Sequence, residues 1–347
     1  MKKIKQIIAG LMTLSLILAI GCGKQGNSPA SSVKSAAEAE TSARQSKIVV
    51  GFSQVGSESD WRRANTASYK KVFTDENGFY LIYEDAQQKQ ENQLKAVRNF
   101  ILQGVDYIIL DPIVETGWEE VLKEAKKANI PVILVDRKAD VAPDLYTCWI
   151  GSDFYKEGVN AGKWLENYLV KIGKDKENLN IVSLQGTLGS TAQIGRTAGF
   201  DDILKEHKNW HMLERQTADF TQAKGKEVMS EFLQKYPEID ILISENDNMS
   251  FGAVEAIKAK GMTCGPNGDV MIISYDGDIA ALNKLLYGDF NAIFECNSQL
   301  GPVVAEVIKK LNAGASVDKT IYVEETYFDD TMELSKIIQE RKKILSN

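Results

Sequence analysis

The chain has 347 residues, with 41 basic residues against 48 acidic ones, and a formal charge of -7. An acidic chain lacks the basic surface that displaces counterions from phosphates, which argues against a nucleic-acid partner. A composition 44% hydrophobic and 26% charged, with seven prolines, excludes a disordered or collagenous chain, and the length allows about two globular domains.

Lys2, Lys3 and Lys5 precede an apolar run from Ile7 to Ile20, too short for a free-standing membrane span of about 20 residues. Residues 1–21 are therefore expected to be an export signal. The run ends in Leu18-Ala19-Ile20-Gly21-Cys22, which resembles the lipobox of bacterial lipoproteins, so Cys22 is the expected lipidation site and mature N-terminus. Residues 22–47 hold one Val as their only large aliphatic side chain and read as a lipid-anchored flexible tether. As a coil, about 24 residues reach roughly 25 to 30 Å, enough to hold a domain off a membrane at the extracytoplasmic face.

From Lys47 onward, β-branched or aliphatic runs alternate with amphipathic stretches. KIVVGFSQ is followed by a helical pattern over 61–77, FYLIYED by one over 89–103, and DYIIL by one over 119–128. PVILVD leads to a helix near 153–170, NIVSLQG to one over 193–206, and a strand near 212–216 to one over 223–235. IDILIS, DVMIISYDG and NAIFEC are followed by helical patterns over 248–260, 279–287 and 300–312. Leu300, Val304, Val307, Ile308 and Leu311 carry the helical period, whereas VILV and ILI are apolar on both faces, as in a parallel sheet covered on both sides. The fold class expected is α/β, with two doubly wound domains.

In such sheets ligands bind beyond the carboxyl ends of strands. Standing there are Glu58, Trp61 and Arg62 after the first strand, Asp136 and Arg137 after PVILV, and Arg196 beyond NIVSLQG. Phe220 precedes a helix, Asn246 follows IDILIS, Asp276 follows MIISY and Glu295 follows NAIF. Singly, Asp136-Arg137 reads more readily as a structural ion pair or loop solvation and Trp61 as core. Together, carboxylates, guanidinia, an amide and two aromatics match a sugar, whose hydroxyls donate and accept and whose C–H patches lie against rings. No thiol, histidine or metal cluster joins the set, and no cofactor is expected. Cys148, Cys264 and Cys296 match no zinc spacing and read as small buried residues, with one disulfide left open, and His207 and His211 read as surface residues.

IVVGFSQVGSESDWR, DAQQKQENQLKAVRNFILQGVDYIIL, TGWEEVLKEAKKANIPVILVDR, SLQGTLGSTAQIGRTAGF and DFTQAKGKEVM closely resemble the galactofuranose-binding branch of the ribose- and galactose-type periplasmic binding proteins. The resemblance implies two Rossmann-like lobes joined by a three-crossover hinge, the type I arrangement. It assigns 48–151 plus 296–325 to the N-terminal lobe and 152–295 plus 326–347 to the C-terminal lobe. Trp61 and Phe220 would bracket a monosaccharide while Glu58, Arg62, Asp136, Arg137, Arg196, Asn246, Asp276 and Glu295 bind its hydroxyls or line the hinge. Asp60 and Glu245 are charges this branch lacks at those positions. The partners implied are an ABC permease with its cytoplasmic ATPase, served by a monomer; a tethered sugar sensor feeding a histidine kinase or chemotaxis receptor would use the same cleft.

Catalysis finds little footing in the sequence. Gly186-Thr187-Leu188-Gly189-Ser190 is neither GxGxxG nor a P-loop, no GxSxG occurs, and the arginines would depress the carboxylate pKa values a glycosidase acid needs raised. An export signal in place of a basic helix-turn-helix argues against a transcription regulator.

Overall fold

A computed structural model of the chain describes residues 47–346. The expected export signal, Cys22 and the tether up to residue 46 lie outside the described residues. The rest forms two six-stranded sheets.

The first sheet is ordered β2-β1-β3-β4-β5-β11, with β1 Ile48–Gln54, β2 Phe79–Asp85, β3 Tyr107–Leu110, β4 Val132–Val135, β5 Cys148–Gly151 and β11 Thr320–Tyr322, all parallel. The second repeats the pattern as β7-β6-β8-β9-β10-β12, with β6 Leu179–Gln185, β7 Trp210–Thr217, β8 Ile241–Ser244, β9 Met271–Asp276, β10 Ala292–Glu295 and β12 Tyr327–Asp329. Only β12 runs antiparallel to its neighbour among these pairs. The strand order reverses beside β1 in one sheet and beside β6 in the other, so each sheet has its crevice there.

Helices α1 (Asp60–Val72), α2 (Gln90–Gln103), α3 (Glu119–Lys127) and α9 (Gly301–Asn312) cover the first sheet. Around the second lie α4 (Phe154–Ile172), α5 (Thr191–Leu204), α6 (Gln222–Lys235), α7 (Asp247–Ala259), α8 (Ile279–Leu286) and α10 (Leu334–Ser346). In β4, Val132 and Leu134 pack into one apolar cluster and Ile133 and Val135 into the other, which is why VILV carries no polar face. The chain passes between sheets after β5, after β10 and between β11 and β12.

Side-chain caps fix where the helices start at the facing strand ends. Ser59, Asp153, Ser190, Thr221 and Asn246 each accept from the backbone N–H three residues on. The helical pattern over 61–77 breaks at Val72, and a short turn at Asp75–Asn77 closes on Gly78 at φ 83°. Helices α4 and α5 approach through glycines: a Cβ on Gly158 would lie 2.3 Å from the Arg196 carbonyl oxygen, and one on Gly199 2.1 Å from that of Tyr155. This close approach carries Glu157 and Arg196 to the same point.

Candidate ligand-binding site

The carboxyl ends of the two sheets face each other across a cavity. Nine of the ten residues singled out in the sequence line it: Glu58, Trp61, Arg62, Asp136, Arg137, Arg196, Phe220, Asn246 and Asp276. Ser59, Phe154, Ala192 and Cys296 complete the wall.

Arg62 organises the first-sheet side. Its Nη1 donates to Asp111 and to Gln54 Oε1 at 3.2 Å and forms an ion pair with Asp136 Oδ2 at 3.0 Å, while Nε donates to Glu58 Oε1 at 3.1 Å. Burial works against the charge of Arg62, but Asp111, Asp136 and Glu58 outweigh it and hold the guanidinium protonated above its ordinary range. Arg137 beside it is buried too, donating Nη1 to the Ile113 carbonyl at 2.8 Å, and burial together with Arg62 lowers its pKa. Two buried atoms on residues that line the cavity have no hydrogen-bond partner in the protein, the acceptor Glu58 Oε2 and the donor Arg137 Nε, the latter 3.9 Å from Asp136 Oδ2.

Arg196 does the equivalent work on the second-sheet side. It donates Nε to Glu157 Oε2 at 2.6 Å and Nη1 to the Glu245 carbonyl, with Nη2 3.5 Å from Asp276 Oδ1. Its guanidinium lies over the rings of Tyr275 and Phe154, with centroids at 4.9 and 5.3 Å. Asn246 uses its side chain as the α7 cap and as a donor to the Phe220 carbonyl at 3.1 Å, so it positions Phe220 as well as lining the wall.

Two rings close the cavity. Trp61, 5% exposed, is fixed by Nε1 donating to the Cys296 carbonyl at 2.7 Å, and Arg62 stacks on it at 4.7 Å. The Phe220 ring carries Arg137 at 5.3 Å. Gly186 admits that ring, since a Cβ there would fall 1.8 Å from Phe220 Cζ. Asp136, Phe220 and Asp276 hold positive φ of 56°, 60° and 110°, conformations a non-glycine residue keeps only under constraint and typically at functional positions.

Glu295 is the exception. The structure takes it out of the cavity: Oε1 pairs with Arg341 of α10 and Oε2 accepts from the Thr326 N–H at 3.1 Å. Asp276 is its register partner on β9 but departs from strand geometry at φ 110°, and Glu295 does not. Glu245, an extra charge in the sequence reading, also points elsewhere, accepting from Thr197 Oγ1 at 2.6 Å and the Gly186 N–H at 2.8 Å. Asp111 and Glu157 went unread. Asp111 follows DYIIL and was visible by the strand-end rule, whereas Glu157 sits one turn into α4 and carries no such signal.

Cys148, Cys264 and Cys296 are buried and free. Two trios, Glu157-Cys296-Glu325 and Asp247-Asp276-Asp278, bring candidate metal-ligand atoms within 4.8 Å of one another. Arg196 already supplies positive charge to both, through Glu157 and Asp276, which disfavours a cation in either.

Several carboxyls around the site titrate above the ordinary carboxylate range. Burial pushes Glu157 and Glu245 up to about 7; burial and Glu157 push Glu325 up to about 8, and burial and Asp278 push Asp247 up to about 8. In the unfolded chain such groups titrate near 4. The folded state therefore binds more protons than the unfolded one between about pH 4 and 8, and stability falls as pH rises through that window. The Tm of the unliganded protein should drop between about pH 5.5 and 8.5, and Glu325→Gln should flatten the drop; a Tm that climbs over this range would contradict the assignment.

Two doubly wound lobes meeting over a polar cavity define a solute-binding protein, and the chain belongs to the periplasmic binding protein domain family, whose match spans residues 50–316. It is 41% identical over 290 residues to the galactofuranose-binding protein YtfQ of Escherichia coli, covering 82% of this chain and 89% of that one. A Mycobacterium smegmatis protein solved in complex with β-D-fucofuranose matches at TM-score 0.81 and 40% identity, over 86% of this chain and 96% of that one. The periplasmic component of the arabinose ABC transporter of Shewanella sp. ANA-3, bound to α- and β-L-arabinofuranose, matches at TM-score 0.79 and 42% identity, over 86% and 97%.

Proposed function

We propose that the chain is the extracytoplasmic binding component of an ABC transporter, taking up a monosaccharide in its furanose ring form between the lobes and presenting it unaltered to a membrane permease. The observation that carries this reading is that a buried acceptor, Glu58 Oε2, and a buried donor, Arg137 Nε, both lack a hydrogen-bond partner on residues that line a cavity walled by Trp61 and Phe220. Sugar hydroxyls both donate and accept and can satisfy each, and an apolar ligand would leave both without a hydrogen bond. Glu58, Asp136 and Asp276 accept from hydroxyls; Arg62, Arg137 and Arg196 donate to them. The fucofuranose and arabinofuranose in the similar structures favour a five-membered ring.

Closure supplies the signal. A permease distinguishes the closed form from the open one, and the sugar shifts that equilibrium only by its differential affinity for the two. The lipobox at Cys22 and the tether after it support membrane anchoring by lipid, and among the described residues no helix is long and apolar enough to cross a membrane.

The test is thermal shift and calorimetry with methyl furanosides and the matching pyranosides of galactose, arabinose and fucose. One furanoside per chain should bind, and saturation at 100 times Kd should add about 2.7 kcal/mol of stability. No response to any of them at millimolar concentration would defeat the proposal. Trp61→Ala should weaken binding at least about tenfold, or about 1.4 kcal/mol, while leaving the circular dichroism of the fold intact.

A further inference from the structure

Asp60, the charge that stood out in the sequence, points out of the cavity and across its mouth. It opens α1 between two residues that line the cavity, Ser59 and Trp61. Its backbone N–H donates to Asn248 Oδ1 at 2.8 Å, and Asn248 Nδ2 donates back to Asp60 Oδ2 at 3.1 Å. Asn248 lies in the first turn of α7, two residues past cavity-lining Asn246. The two bonds thus join one lobe to the other, helix start to helix start, and neither residue lines the cavity. An ion pair with Arg63, which also donates to the Ser57 carbonyl at 3.1 Å, holds the Asp60 carboxylate in place. Because both helices turn their positive N-terminal ends toward this point, the carboxylate also offsets the repulsion between them.

We propose that Asp60 and Asn248 form a latch that holds the lobes shut over the ligand and sets its residence time without touching it. The opposite rim is joined differently. There the Glu115 N–H donates to the Gly189 carbonyl at 3.0 Å and the Lys138 N–H to Thr191 Oγ1 at 3.1 Å, so the first lobe contributes backbone alone. Of the two rims, that at Asp60-Asn248 is the one hydrogen-bonded through side chains of both lobes, and it is there that sequence tunes the closed state. In an open form both bonds are broken and both partners face water. The latch therefore adds to closed-state stability and leaves the unliganded fold as it was.

This inference rests on the sugar-binding reading, and stopped-flow tryptophan fluorescence on the full mature chain, with the furanoside that binds in the thermal screen, tests it. Asn248→Ala removes both bonds and should raise koff about tenfold with kon altered less than about twofold. Asp60→Ala keeps the backbone donor and should raise koff only about threefold; the double variant should match Asn248→Ala, because the interaction is already gone. The unliganded Tm should stay at the wild-type value in Asn248→Ala and fall slightly and equally in the two variants that lack the Asp60 carboxylate, which lose its pair with Arg63 and its charge at the start of α1. Wild-type koff in Asn248→Ala, or an unliganded Tm that falls as far as the liganded one, overturns the latch while the sugar reading stands. If the wild type binds none of the furanosides, the sugar reading fails and the latch falls with it.

Discussion

Arg62→Ala should abolish sugar binding and remove about 3–5 kcal/mol of folding stability, the cost of leaving buried charges without their partner. Arg62 is 3% exposed, and Asp111, Asp136 and Glu58 all direct carboxylate oxygens at it. Burial already pushes Asp111 well above the carboxylate range, with Arg62 the main influence opposing it. Without Arg62 nothing of comparable strength opposes the burial of Asp111, which must take up a proton, so the variant should regain part of its stability as pH falls toward 5, in urea unfolding followed by tryptophan fluorescence. Arg62→Lys should recover less than half of the loss, since an ammonium cannot serve the three carboxylates and Gln54 from one planar fork. A wild-type urea midpoint for Arg62→Ala would refute this account of the site.

Gly199→Ala should destabilise the protein by about 2–4 kcal/mol, more than a single methyl costs at most core positions. The added Cβ meets backbone, 2.1 Å from the Tyr155 carbonyl oxygen and 2.8 Å from the Val159 nitrogen, and a helix backbone cannot move aside as a side-chain tip can. Relief requires α4 and α5 to separate, which pulls Glu157 away from Arg196. Sugar affinity should therefore fall together with stability, although residue 199 does not line the cavity. Gly104→Ala is the control: φ is 61° there, but nothing lies within 4 Å of the new Cβ, so only about 1 kcal/mol of left-handed strain is expected. Equal urea midpoints for the two variants would show that the glycine contact between α4 and α5 is not close.

The β-α alternation was legible because each core strand advertises burial on both faces, as VILV does, and each helix its period, as Leu300 to Leu311 does. Strand ends were legible for the same reason, which is how Arg62, Asp136 and Arg196 came to notice before any geometry. What the sequence hides is the direction of a side chain at the last residue of a strand. Glu295 and Asp276 look alike in the sequence, and a backbone angle together with an arginine 46 positions away separates them. Strands β11 and β12, three residues each, have no pattern of their own and exist because an open sheet edge pairs with them. Phe154 follows its helix cap as Trp61 nearly follows its own, a parallel visible only after both are seen facing one cavity.

Residues 320–322 add the outermost strand to one sheet and residues 327–329 to the other. During synthesis, then, neither sheet is completed by its own half of the chain: each waits for a stretch made after its other five strands, and until then β5 and β10 are open margins.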